Sequence, residues 1–155
     1  MGNKIKKIVL FLILILYSGS VFSDNSSKEI QNEIADNISS EFNECAAYFY
    51  ITFGAMEKFG DVDTAKRFSN LSDRALGYGI ESFMLSGTNE MAKEVSESRF
   101  KMNMKRMMKD INSNYSNLSI LTKDYGERCM YIMKKPTEMI IEWDRKIYKK
   151  YGLTK

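Results

Sequence analysis

A long stretch of helical spacing constrains the fold of this chain more than any other feature. From Glu29 to Phe59, apolar residues recur at steps of three and four, which places them on one face of an α-helix. Gly60 follows as a helix-ending residue, and Asp61 and Asp63 are N-cap candidates for a second helix. The apolar face consists of Ile30, Ile34, Ile38, Phe42, Cys45, Phe49, Phe53 and Met56.

The same spacing continues through the rest of the chain, and strand-like alternation is hard to find. We therefore predict an all-α fold, a single bundle of four to five helices stapled by one disulfide. Gly77 and Gly79 lie inside the second predicted helix, where they either permit close helix packing or mark a local break. The later helices are predicted over Thr64–Ser86, Asn89–Asn112, a segment containing Leu118–Ile132, and Thr137–Tyr151 with Pro136 in its first turn.

The N-terminal residues follow the order of a secretory signal peptide. Three lysines precede an apolar run from Ile8 to Tyr17, and small residues lead to a predicted cleavage site after Ser23. The run is shorter than the ~20 residues of a membrane-crossing helix, although an uncleaved anchor is the alternative. We expect residues 1–23 to be the signal, residues 24–155 to be a single helical domain, and the protein to be periplasmic or secreted.

Charge and cysteine content agree with that location. The predicted signal carries three of the 23 basic residues and none of the 20 acidic ones, so the remaining chain is neutral and a nucleic-acid partner is not expected. Cys45 and Cys129 are the only cysteines, and in an oxidising compartment they are expected to form a disulfide. Two buried free thiols are the alternative.

Short motifs around both cysteines are similar to those of a group of known proteins. Cys45-Ala46-Ala47-Tyr48-Phe49 precedes Tyr125-Gly126-Glu127-Arg128-Cys129, and Pro136 and Trp143 follow. Over roughly residues 42–145 the chain resembles a loose group of small exported bacterial proteins that have two cysteines, are helical, and have no settled activity. The resemblance implies export, helices and a disulfide, and it supplies no functional residues.

The absence of histidine limits the possible chemistry. Without histidine there is no Ser-His-Asp or Cys-His catalysis, no His-ligated zinc and no Glu-x-x-His di-iron site. We predict that the protein is not an enzyme and uses no cofactor or metal. Glu90, Glu94 and Glu97 lie along one side of the third helix, and we interpret them as a solvated acidic face rather than a carboxylate active site.

The segment from Arg99 to Lys109 is the most unusual part of the chain, because it contains five cations and no acid. We expect Phe100, Met104, Met107 and Met108 to face the core. Two alternatives are a basic amphipathic helix on an anionic membrane and a thioether site for Cu(I). The cations Arg99, Lys101, Lys105, Arg106 and Lys109 fill the opposite arc.

These features predict a non-enzymatic binding or interaction protein of the bacterial envelope that presents a helical surface to a protein partner. The alternative is a membrane-surface or membrane-active protein that uses the helix Arg99–Lys109 on anionic lipid. The predicted partner-binding residues are the five cations, together with Tyr48 and Tyr50, because Tyr and Arg are favoured at binding hot spots.

Overall fold

The computed structural model describes residues 24–86 and 89–153, and the predicted signal peptide lies outside these residues. The described chain forms five helices with no strands, which confirms the all-α prediction. None of the described helices has an apolar stretch that is long enough to cross a bilayer.

The first helix, α1, runs from Asp24 to Lys58 and begins earlier than the apolar spacing predicted. Its predicted apolar face is buried from Ile30 to Phe49. The helix ends where Gly60 adopts a φ of 80°, a left-handed conformation that glycine tolerates best. There the Asp61 amide donates to the Met56 carbonyl at 3.0 Å, which satisfies a carbonyl at the end of the helix.

The second helix, α2, runs from Val62 to Phe83 and packs antiparallel to α1. Asp61 is its N-cap, and its carboxylate accepts a hydrogen bond from the Thr64 amide at 3.1 Å. The ring centroids of Phe49 and Phe68 lie 6.0 Å apart across the helix pair. The Ser72 hydroxyl donates to the Ala46 carbonyl at 2.9 Å, so the two backbones approach closely there.

Gly79 explains a second close approach, because a Cβ at that position would lie 2.6 Å from Asn43 Oδ1. The helix continues through both glycines, so close packing is the correct alternative and a break near Gly77 is not observed. Gly77 faces open space, with no atom within 4 Å of an added Cβ.

The third helix, α3, runs from Asn89 to Asp110 beside α1 and in the same direction. It ends in a polar turn, where Asn112 and Ser113 adopt positive φ values of 52° and 53°. Asn114 then caps a short 3₁₀ turn over Tyr115–Asn117 by accepting a hydrogen bond from the Ser116 amide.

The fourth helix, α4, has three consecutive parts. An α-helical turn over Leu118–Leu121 leads into a π-helical segment over Thr122–Gly126, and α-helix resumes over Glu127–Lys134. The sequence did not predict the π-helical segment. Gly126 allows Tyr48 to pack against it, because an added Cβ would lie 3.2 Å from the tyrosine hydroxyl oxygen.

The fifth helix, α5, runs from Pro136 to Lys150 and returns along α1. Its end is tied to the start of α1 through Glu33, whose carboxylate accepts hydrogen bonds from Lys150 Nζ at 2.6 Å and Tyr151 Oη at 3.0 Å. These bonds hold the pKa of Glu33 below its usual value, with the Lys150 bond as the largest cause. Gly152 then adopts a φ of 71° just after the helix.

The predicted disulfide joins Cys45 of α1 to Cys129 of α4, with 5.2 Å between their Cα atoms. Both residues are buried in the core, where they lie among the apolar residues of their own helices. The bond connects the C-terminal part of the bundle to the middle of α1.

The two glycines of α2 provide a matched test of the packing. Gly79→Ala should lower the free energy of unfolding by roughly 1–3 kcal/mol, because the new methyl group displaces buried Asn43. Gly77→Ala should raise it by up to about 1 kcal/mol, since alanine has the higher helix propensity and meets no neighbour. Urea denaturation measures both, and equal stabilisation by the two substitutions would contradict the close approach at Gly79.

The disulfide should be present in folded, unreduced protein. Intact-mass analysis after alkylation should show no modified cysteine until a reductant is added. Replacing both cysteines with serine should lower stability by up to about 4–5 kcal/mol, since the closed loop is long. Two alkylated thiols in folded, unreduced protein would contradict this prediction.

Candidate functional site

The outward side of α3 carries three exposed lysines, Lys101, Lys105 and Lys109. Their spacing of four residues aligns them along the helix axis. Within residues 26–86 and 89–153, no carboxylate lies within ion-pair distance of any of them. We refer to these three residues as the lysine row.

Arg99 and Arg106, which the sequence also assigned to this surface, instead connect α3 to α1. Arg99 Nη2 lies 2.5 Å from Asp36 Oδ1, and its guanidinium stacks 5.3 Å from the Phe83 ring centroid. Arg106 Nη2 lies 2.5 Å from Glu44 Oε1, a bond that raises the pKa of the arginine. Both arginines are therefore paired with carboxylates of α1. Arg99 is partly buried, whereas the side chain of Arg106 is 50% exposed, which agrees with the predicted exposure of Arg106.

The two candidate tyrosines lie in different environments. Tyr48 is only 3% exposed, and its ring centroid lies 6.4 Å from that of Tyr125. The prediction of an accessible Tyr48 is wrong, because α1 is buried on that side as well as on its apolar face. Tyr50 is 44% exposed and contacts Phe100 edge-on, with 5.7 Å between the ring centroids, so it remains available at the surface.

The methionines of α3 are divided between the core and the surface. All four residues that were predicted to face the core do so, but only Met107 is completely buried. Phe100, Met104 and Met108 are partly buried against the core. Met102 is 66% exposed and lies beside the lysine row. In the described part of the chain, no group of three His, Cys, Asp or Glu residues is arranged to hold a metal ion.

A polar cluster between α1, α4 and α5 was not found from the sequence. Glu41 accepts hydrogen bonds from Arg128 Nε at 2.7 Å and from Trp143 Nε1 at 2.5 Å, and Arg128 also bonds Glu142 at 2.8 Å. The hydrogen bond from Arg128 to Glu41 is the largest cause of the raised pKa of Arg128. The only sequence signal for this cluster was a charged residue next to the apolar face of α1.

Two open surface depressions of about 440 and 490 Å³ flank Tyr131, beside this cluster. Their linings mix acidic and basic side chains, including Lys123, Asp124, Glu138 and Arg145. Because the charges of both signs are interspersed and the depressions are open, neither forms an enclosed ligand site. The lysine row remains the most distinctive polar surface.

The neighbouring cations Lys105 and Arg106 provide a matched prediction. Lys105→Glu should change the free energy of unfolding by no more than about 0.5 kcal/mol, as expected of an unpaired surface residue. Arg106→Glu should lower it by about 1 kcal/mol, because it places a carboxylate against Glu44. Adding Glu44→Lys to Arg106→Glu should restore stability in thermal or urea unfolding. Equal effects of the two single reversals would contradict the ion pair.

Comparison with known proteins gives no relative: no protein-family model, curated protein or solved structure matches this chain.

Proposed function

We propose that this chain is an exported, non-enzymatic interaction protein that presents the outward side of α3 to a protein partner. The observation that carries the proposal is the lysine row, Lys101, Lys105 and Lys109, which is exposed and has no acidic partner in the described chain. Like-charged side chains held at neighbouring positions repel one another, and an acidic partner relieves that repulsion.

The arginines of α3 have carboxylate partners and its three exposed lysines have none within the described residues, and this difference supports the proposal. The arginines bind carboxylates of α1, because a planar guanidinium can hold a carboxylate and stack on a ring. The lysines are left outside as hydrated point charges, which attract an oppositely charged surface over a distance of about 8–10 Å at ordinary ionic strength. This distribution suits an encounter surface.

Two features support export. The first 23 residues have the order of a signal peptide, and a buried Cys45–Cys129 disulfide is typical of proteins that fold in an oxidising compartment. Periplasmic or secreted localisation is part of the proposal.

The exposed Met102 favours a second candidate, contact with an anionic membrane surface. A flexible apolar side chain beside three lysines can enter the headgroup region while the ammonium groups contact lipid phosphates. Three lysines contribute only about 1 kcal/mol each at such a surface, so binding would be weak and sensitive to salt.

A photo-cross-linking amino acid separates these candidates. Placed at Lys105 in the exported protein, it should give one cross-linked protein band of defined mass, and placed at exposed Lys66 on α2 it should not. Lys101→Glu with Lys109→Glu should weaken that band, because the reversed charges repel an acidic partner. Equal cross-linking from both sites would contradict the proposal. No protein band, together with salt-sensitive co-sedimentation on phosphatidylglycerol vesicles, would favour the membrane.

A further inference from the structure

The outward side of α3 carries opposite charges in its two halves. Glu90, Glu94 and Glu97 lie in the first half, and the lysine row lies in the second. Helix-dipole compensation explains acids in the first turn and cations in the last turn, but that effect fades beyond one turn. It therefore does not account for Glu94, Glu97, Lys101 and Lys105, which lie closer to the middle of the helix.

Pairing within the helix does not account for them either. The only ion pair recorded inside α3 joins Lys93 to Glu97 at 3.9 Å, and it leaves the lysine row unpaired. Glu90 and Glu94 are exposed and, within the described residues, have no ion-pair partner.

Two acids and two lysines of α3 are placed symmetrically about the middle of the helix. Glu94 and Lys105 are equally far in sequence from the midpoint of α3, which falls between Arg99 and Phe100. Glu90 and Lys109 are also equally far from this midpoint. Because α-helical residues advance by about 100°, Glu94 and Lys105 also point in nearly the same direction. Turning the helix end over end therefore exchanges Glu94 and Lys105 at nearly the same place on the surface, whereas Glu90 and Lys109 point about 100° apart.

From this symmetry we propose that the partner of the α3 surface is a second copy of this chain, bound antiparallel about a two-fold axis. In that arrangement Glu94 of each copy meets Lys105 of the other, so the pair occurs twice. Exposed Met102 lies on the other side of the seam, and small, exposed Ser98 lies near the axis, where the backbones approach. The inference rests on the proposed role of α3 as a protein-binding surface.

The surface has the composition that such a contact requires. Met91 and Met102 are 51% and 66% exposed, so apolar surface is available on the same side as the charges. A single helix pair buries less than the ~1,200 Å² of a standard stable interface, so the dimer is weak and depends on concentration and salt. Arg99 and Arg106 contribute no pair across the interface, because each already binds a carboxylate of α1.

Sedimentation velocity of the oxidised protein tests the proposal over a roughly hundredfold range of concentration. At low salt the wild-type protein should shift from monomer to dimer, and about 0.5 M NaCl should return it to monomer. Glu94→Lys or Lys105→Glu alone should weaken association at least about tenfold, since each creates two like-charge contacts.

The charge swap is the decisive control. Glu94→Lys combined with Lys105→Glu in one chain should restore self-association. An equimolar mixture of the two single variants should form a heterodimer, although each variant alone stays largely monomeric. Circular dichroism confirms that each variant is folded, and Lys66→Glu on α2 is the matched surface control.

A wild-type protein that stays monomeric at low salt would overturn the inference, as would a double variant that fails to recover. If the monomer still gives a Lys105-dependent cross-link to a protein of another mass, the inference fails and the proposed function stands. If it gives no protein cross-link and instead sediments with anionic vesicles, both fail and the surface belongs to a membrane.

Discussion

The packing around five consecutive residues of α1, Cys45–Phe49, is the constraint on which the rest of the structure depends. All five are buried, so the helix is enclosed there on every side rather than on one face. Cys45 bonds Cys129 of α4, the Ala46 carbonyl accepts a hydrogen bond from Ser72 of α2, and Tyr48 packs against the π-helical segment. Two of the five residues are alanine, which leaves the neighbouring helices room to approach. The positions of α2 and α4 are thereby set by one short stretch of sequence.

The third helix buries few of its residues completely, and this accounts for where the candidate surface lies. Only Ala92, Ser96 and Met107 of α3 are fully buried, and the Ser96 hydroxyl has no hydrogen-bond partner within the described residues. The two partly exposed arginine pairs with Asp36 and Glu44 add to the packing of Met107 and its apolar neighbours against the core. The outward side of such a helix can carry charges that the fold does not use, and the lysine row and the exposed acids Glu90 and Glu94 are such charges.

The single pair of cysteines in a chain predicted to be exported predicted the disulfide, whose Cα atoms lie 5.2 Å apart. Periodicity predicted the helices and their order, because each depends on which residues share a face. It failed where more than one face is buried, as at Tyr48, and where a charge finds its partner on another helix, as at Arg99 and Arg106. The Glu41 cluster was missed for the second reason, since its partners are distant in sequence. The charge symmetry of α3 was present in the sequence, but its meaning required knowing which side of the helix faces outward.

Native-state hydrogen exchange tests most directly the claim that Cys45–Phe49 organises the bundle. The amides of this segment should exchange only by global unfolding and should be the slowest in the protein, while those of α3 should exchange through a local opening of lower free energy. The slow amides should therefore follow the global stability measured by urea, and the α3 amides should not. Exchange of α3 as slow as that of Cys45–Phe49, or faster exchange within that segment than in α3, would contradict the account.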